Sequence, residues 1–362
     1  MNILLIRISA IGDVLLTGPI IRALKNRFPE GNIHLLTSKE SSEIARGFPE
    51  ISKIHILEKK LSRKQAAIKE LSRMKWDYVI DLQNNYRSRT ITSKLKVKKV
   101  YRFQRMRFNR LVRIHFPHLR SRVSIPPAVA LQYLHSAKQL GLEDDDEGLH
   151  MIPLPEWTRS AEDILSEFVS SRGIDDYSPL LIIAPGAKHA TKQYPPEYFV
   201  ELCEFALQEG FRSICLIGSP AEKELAGFIQ GRLGEVVLNT VGKVGLGEVV
   251  GLISMGDLVI SGDSAPAHIS AALKTPLVTI FGPTVPEFGF APLRTPHSIA
   301  QLENLICRPC HPHGQEKCPL KHFKCMKDLK PNAVWEIALN LWRDNHPHIE
   351  IPSPETEEQN KQ

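Results

Sequence analysis

The chain has 362 residues, of which 42% are hydrophobic and 24% charged; this soluble globular composition excludes a disordered or fibrous protein, and the length calls for two domains. No apolar run approaches the ~18 residues needed to span a bilayer, and Met1 to Ile8 is too short and too soon charged for a signal peptide, so a cytosolic protein able to sit on a membrane surface is expected. The net charge of +6 hides an asymmetry: Arg87 to Val123 holds thirteen Lys or Arg residues and no Asp or Glu, so the rest of the chain is acidic.

Asn2 to Ile8 reads as an apolar strand. Ser9 to Asp13 makes a turn, and Val14 to Phe28 carries helical periodicity that ends before Pro29. A second strand (Asn32 to Thr37), a helix (Glu40 to Arg46), a third strand (Ile54 to Leu57), a basic helix (Arg63 to Met74) and a fourth strand (Tyr78 to Leu82) follow. The second half repeats the alternation. Its strands are Leu180 to Ala184, Ser213 to Ile217, Val236 to Asn239, Leu258 to Ser261 and Leu277 to Phe281. Its helices are Pro196 to Glu209, Glu222 to Leu233, Leu246 to Met255 and His268 to Lys274. Alternating strands and helices predict parallel sheets covered on both faces. The expected architecture is α/β, with two doubly wound, Rossmann-like domains over residues 1–155 and 175–330. A C-terminal helix is expected over 331–344 and a disordered polar tail over 352–362. Ligands in such folds bind outside the carboxyl ends of the strands. No Gly-x-Gly-x-x-Gly follows the first strand, which argues against a dehydrogenase.

Several residues stand where chemistry is expected. Asp13, after the first strand, is either a general base or a helix-capping carboxylate. Gly186, Ala187 and Lys188 end the first strand of the second half, and Lys192 precedes the next helix. A lysine there suits a diphosphate leaving group, and position alone does not separate Lys188 from Lys192. Asp263, Ser264, Ala265 and His268 lie where a strand feeds a helix, a place that binds phosphate or is simply capped. Tyr86, Tyr101, Phe103, Phe108 and Phe116 interleave with the cations of segment 87–122, which is expected to meet a polyanion. Six cysteines in a cytosolic chain read as thiols or metal ligands. Cys307, Cys310, Cys318 and Cys325, with His311, His313 and His322 among them, are dense enough for a structural zinc site; a reduced, metal-free knuckle is the alternative. Cys203 and Cys215 read as buried thiols.

Together these residues resemble the family 9 glycosyltransferases, the ADP-heptose:lipopolysaccharide heptosyltransferases, over nearly the whole chain. The resemblance rests on Arg7-Ile-Ser-Ala-Ile-Gly-Asp13, Asp81-Leu-Gln83, Pro185-Gly-Ala with Lys192-Gln-Tyr-Pro195, and Gly262-Asp-Ser-Ala-Pro-Ala-His268 with Phe281-Gly-Pro-Thr284. A cluster like Cys307 to Cys325 occurs in a subset of that family. The resemblance implies a GT-B fold with the acceptor on the N-terminal domain and the ADP-sugar on the C-terminal one. It implies inverting transfer of heptose to the inner core of lipopolysaccharide without a cofactor. Asp13 matches the family's base, Lys192 its diphosphate lysine, and Asp263-Ser264-Ala265 its Asp-Thr-Gly turn; Ala265 in place of Gly disfavours positive φ there. The expected partners are ADP-heptose and a lipid A-type anionic acceptor at the inner leaflet, met by the basic segment. No nucleic acid is expected, and the chain is expected to act as a monomer on the inner face of the inner membrane. The alternatives are a GT-B enzyme for another nucleotide sugar, a sugar-nucleotide epimerase, or a non-catalytic lipopolysaccharide- or nucleic-acid-binding relative.

Overall fold

Two all-parallel sheets carry the chain in this computed structural model, which describes residues 1–347. The tail expected to be disordered lies outside the described residues. The chain divides into one unit of Met1–Phe108 with Ile125–Leu154 and another of Asn109–Ser124 with Pro155 onward.

In the first unit, β1 (Asn2–Ile6), β2 (Asn32–Ser38), β3 (Ile51–Leu57), β4 (Lys75–Asp81) and β5 (Lys96–Arg102) align in the order β3-β2-β1-β4-β5. The winding reverses beside β1, so the switch point falls between β1 and β4. Ile3, Leu4, Leu5 and Ile6 are fully buried, as expected of a central strand covered on both faces. The helix expected over Val14 to Phe28 is two helices, Ile11–Leu15 and Gly18–Arg27. Pro19 has no N–H to give to the Leu15 carbonyl, and the Thr17 hydroxyl donates to the Val14 carbonyl at 2.6 Å, so the first helix stops there.

In the second unit, β6 (Leu180–Ala184), β7 (Ser213–Leu216), β8 (Val237–Asn239), β9 (Leu258–Gly262), β10 (Leu277–Phe281) and β11 (His297–Gln301) run β11-β10-β9-β6-β7-β8. Here the winding reverses between β6 and β9. The helix Pro155–Arg172 lies in the region expected to join two domains and packs on the helix Leu246–Met255 of this unit. Their approach needs Gly251, where a Cβ would stand 2.3 Å from the Trp157 carbonyl oxygen. The C-terminal helix Pro331–Asn345 belongs to this unit as well: Trp335 and Trp342 pack on Phe211 with ring centroids 5.8 and 5.3 Å away. Cys203 and Cys215 are buried, and burial pushes both thiols up to about 12.

The basic segment is not one element. It contains the helix Tyr86–Thr92, β5, the helix Arg107–His115 and the 3₁₀ turn Pro117–Arg122. β5 is the sheet edge, and its Lys96, Lys98 and Lys99 are the sort of charge that keeps an edge from pairing with another strand. Tyr101 and Phe103 are buried core residues rather than a stacking surface, whereas Tyr86 and Phe108 are 88% and 75% exposed and Phe116 is exposed too. No helix among the described residues is long and apolar enough to cross a membrane.

Candidate functional site

At the switch point of the first sheet, β1 leads into Arg7, and β4 ends at Asp81 and leads into Leu82-Gln83. Gln83 Oε1 accepts from the backbone N–H groups of Ile8 (3.0 Å) and Ser9 (3.3 Å), which ties the two strand ends together. Asp81 is fully buried and structural: Oδ1 accepts from Asn84 N and Oδ2 from the Ser88 hydroxyl, both at 2.8 Å. Arg7 is buried; its Nη1 donates to the Leu82 carbonyl at 2.9 Å and its Nη2 meets Asp13 Oδ2 at 2.6 Å. The Ala10 N–H also donates to Asp13 Oδ2, at 3.1 Å, so Asp13 does cap its short helix. The other oxygen, Oδ1, has the Tyr133 hydroxyl at 3.5 Å. Burial, then the Asp13 carboxylate, pushes the Tyr133 phenol well above its usual range, so it stays protonated. Next to this carboxylate is a concavity of about 510 Å3 lined by Ser9, Ala10, Ser38, Glu40, Lys59, Lys64 and Arg87, among others.

At the switch point of the second sheet, β6 leads to Pro185–Lys192 and β9 to Asp263. The sequence left Lys188 and Lys192 equivalent, and the fold separates them. Lys188 is exposed, whereas the largely buried Lys192 turns inward, its Nζ 2.5 Å from Asp263 Oδ2 and 3.1 Å from the Asp263 carbonyl. The Thr284 hydroxyl donates to the same Oδ2 at 2.8 Å. Ser264 is the N-cap of the helix Ala265–Leu273, yet its side chain does not cap it; its Oγ lies 3.3 Å from the Gly262 carbonyl and 3.2 Å from Ser261 Oγ. The first N–H groups of that helix are thus not satisfied by Ser264. Ala265 opens the helix, and no residue from Gly262 to Ala265 has positive φ, so the turn does not need the glycine that Ala265 replaces. His268 is buried one turn further along. Ala187 is buried and its carbonyl accepts from Gln193 Nε2 at 3.1 Å. Gly186 faces Glu222 so closely that a Cβ would stand 2.2 Å from its carboxyl carbon, which sets a carboxylate over the ends of β6 and β7.

The thiols of Cys307, Cys310, Cys318 and Cys325, expected to form a zinc site or a metal-free knuckle, act on one another electrostatically. Among the described residues no group of three or more His, Cys, Asp or Glu side chains could hold a metal ion. Cys307 Sγ has His322 Nε2 at 3.9 Å. Burial, then the neighbouring Cys307 and Cys318, raises the Cys310 thiol; burial, then Cys310, pushes Cys325 up to about 12.

The family model described as glycosyltransferase family 9 (heptosyltransferase) matches residues 65–324. The chain belongs to glycosyltransferase family 9. Among its family 9 relatives, lipooligosaccharide heptosyltransferase 2 of Campylobacter jejuni is 30% identical over 346 residues, 93% of this chain and 97% of the relative. Among solved structures, a family 9 glycosyltransferase from Veillonella parvula superposes with a TM-score of 0.75 at 20% identity, covering 95% of this chain and 97% of the other. E. coli ADP-heptose lps heptosyltransferase II gives 0.71 at 20% identity, covering 96% and 100%. The fold is GT-B, and the chain is a family 9 enzyme, a glycosyltransferase.

Sequence reasoning assigned no role to Arg7, Gln83, Tyr133, Thr191, Glu222 or Thr284. Arg7, Gln83 and Thr284 belong to the motifs that carry the resemblance, and for Arg7 a lone arginine after an apolar strand is a further signal. Tyr133 had none, because its helix (Val129–His135) reaches Asp13 only through the fold.

Proposed function

We infer that this enzyme transfers heptose from ADP-heptose to the inner core of lipopolysaccharide, on Kdo-lipid A or heptosyl-Kdo-lipid A, with inversion. The observation that carries the reading is the paired arrangement at the two switch points: a carboxylate, Asp13, oriented by Arg7, and a lysine, Lys192, turned inward beside the start of a helix. The names of the family 9 relatives supply the sugar and the acceptor class.

In the first unit, Asp13 Oδ1 accepts the proton of the attacking hydroxyl. The freed oxygen forms a bond to the anomeric carbon from the face opposite the diphosphate. The carbon–oxygen bond to the diphosphate breaks, and its electron pair leaves with ADP. One displacement inverts the centre and needs no covalent carboxylate partner. In the second unit, Lys192 exchanges Asp263 for the diphosphate, whose growing charge also meets the N–H groups at the start of the helix Ala265–Leu273. Gly186, Ala187 and Ser264 line the approach, and the Glu222 carboxylate over Gly186 is suited to accept from the ribose hydroxyls. Lys188 is free to meet the outer phosphate face, and His268 packs beneath the turn. Lys59, Lys64 and Arg87 in the concavity beside Asp13 suit the carboxylates and phosphates of the acceptor. Such an acceptor is anchored in a bilayer, so the enzyme acts at the cytoplasmic face of the inner membrane, where exposed Phe108 and Phe116 among the cations favour an anionic surface.

The test is transfer from ADP-heptose to Kdo-lipid A and to heptosyl-Kdo-lipid A, with the anomeric configuration of the product read by NMR. Product with inverted configuration from one acceptor is expected. Absence of transfer to both, from protein that binds neither ADP-heptose nor ADP, would overturn the reading.

A further inference from the structure

The segment between Cys307 and Cys325 has no place in the reaction above, yet it grips the donor lysine's surroundings at both ends. Arg308, buried, donates from Nε to the Gly282 carbonyl at 2.5 Å and from Nη2 to the Thr284 carbonyl at 3.0 Å. The Cys310 N–H donates to the Pro283 carbonyl at 3.1 Å. These bonds fix Gly282-Pro283-Thr284, and Thr284 is the residue whose hydroxyl holds Asp263. At the other end the Gln315 carbonyl accepts from both the N–H (3.0 Å) and the hydroxyl (2.7 Å) of Thr191, whose Oγ1 accepts in turn from the Gln315 N–H at 2.8 Å. Thr191 is buried and immediately precedes Lys192. Gly314 completes the clasp. Its φ is +84°, a value that suits glycine, and a Cβ there would stand 3.0 Å from Lys192 Cγ and 3.3 Å from Cδ.

We propose that this segment is a brace for Lys192, with Thr191, Gly314 and Arg308 as positioning residues that aim its ammonium group at the diphosphate. A lysine stem has four rotatable carbons and loses considerable entropy when fixed. The wall formed by Gly314 and the clasp at Thr191 confine the stem before any ligand arrives. Asp263 and Thr284, held through Arg308, give the ammonium group a resting position from which a short movement reaches a phosphate oxygen. A misplacement of the kind a loosened brace allows costs about 10- to 100-fold in turnover. The brace rests on the reading of Lys192 given above.

The experiment compares Thr191→Val, Thr191→Ser, Gly314→Ala and Lys192→Ala in steady-state transfer with ADP-heptose, with melting temperature as the control for folding. Thr191→Val keeps the shape and removes the hydroxyl that clasps Gln315. It is expected to lower kcat about 10-fold or more with little change in the acceptor KM, and Thr191→Ser is expected to recover most of that loss. Gly314→Ala, which places a methyl group against the lysine stem, is expected to lower kcat in the same way. A folded Thr191→Val enzyme with wild-type kcat, or Ser and Val variants impaired alike, would overturn the brace while Lys192→Ala still abolishes turnover. Full turnover by Lys192→Ala would instead overturn the reading of Lys192, and the brace with it.

Discussion

Arg7 Nη2 meets Asp13 Oδ2 at 2.6 Å and leaves Oδ1 facing the Tyr133 hydroxyl. The guanidinium also donates to the Leu82 carbonyl and lies over the Tyr133 ring, 5.4 Å from its centroid. One buried cation thus joins the ends of β1 and β4 to the carboxylate and leaves Oδ1 as the oxygen it does not touch.

Asp13→Asn keeps the side chain's size and removes its basicity. We expect kcat for heptosyl transfer to fall by about 10²- to 10⁴-fold, with ADP binding by calorimetry unchanged because the donor groups lie in the other unit. A variant that turns over within about threefold of wild type, well short of a general base's contribution, would remove Asp13 from the role of base.

Arg7→Met should lose both stability and activity. The substitution leaves Asp13 without its charged partner and frees the Leu82 carbonyl, a loss of about 2 kcal/mol for a partly exposed pair. Chemical denaturation measures the first effect and transfer the second. Unchanged stability would mean that the Arg7–Asp13 pair contributes nothing net.

The first unit should weaken in acid through a histidine pair. His34 Nδ1 is 2.9 Å from His55 Nε2, and the rings stack with centroids 5.2 Å apart beside Trp76. Burial, then His55 and Lys53, lowers His34 to about 4 against the opposing pull of Glu70; burial likewise lowers His55. The unfolded chain takes up these protons near about pH 6.5, so it binds more protons than the folded chain below that pH. The contribution to stability is intact above about pH 6.5, and it is lost as the pH falls through the folded values. His34→Gln should show a shallower fall in melting temperature between about pH 7 and pH 5; an identical slope would exclude the pair as its cause.

Gly251→Val tests the helix contact in the second unit. Its side chain would collide with the Trp157 carbonyl and the Ala161 methyl, and overpacking of this kind costs about 2–3 kcal/mol. A drop in the denaturation midpoint is expected, and an unchanged midpoint would show that the two helices can separate freely.

The alternation of apolar strands with helices made both doubly wound sheets legible, because a parallel strand covered on both faces leaves a continuous apolar run such as Leu180–Ala184. Two of the four edge strands, β5 and β11, escaped that rule. β5 reads as a lysine-rich string because its exposed positions face water, and β11 is only half-buried. The helix Pro155–Arg172 was legible in principle: Trp157, Ala161, Leu165 and Phe168 recur at helical spacing after a proline at its start. At the site, Asp13 and Asp263 stood out because each comes after a strand, and Lys192 because it precedes a helix. Tyr133 and Glu222 did not, since a contact between distant segments leaves no local pattern.

If Lys192 meets the donor diphosphate as proposed, its contact with Asp263 makes arrival of that anion an exchange rather than an addition. The ammonium group is already neutralised by a tethered carboxylate 2.5 Å away, itself steadied by Thr284. A tethered rival has a high effective concentration, so a small free anion such as orthophosphate gains little by displacing it. A ligand that also touches the sheet ends through a sugar or a base brings further contacts and tips the exchange. The counter-ion built into the resting enzyme thereby works as a threshold, turning away fragments and keeping the lysine from idle occupancy.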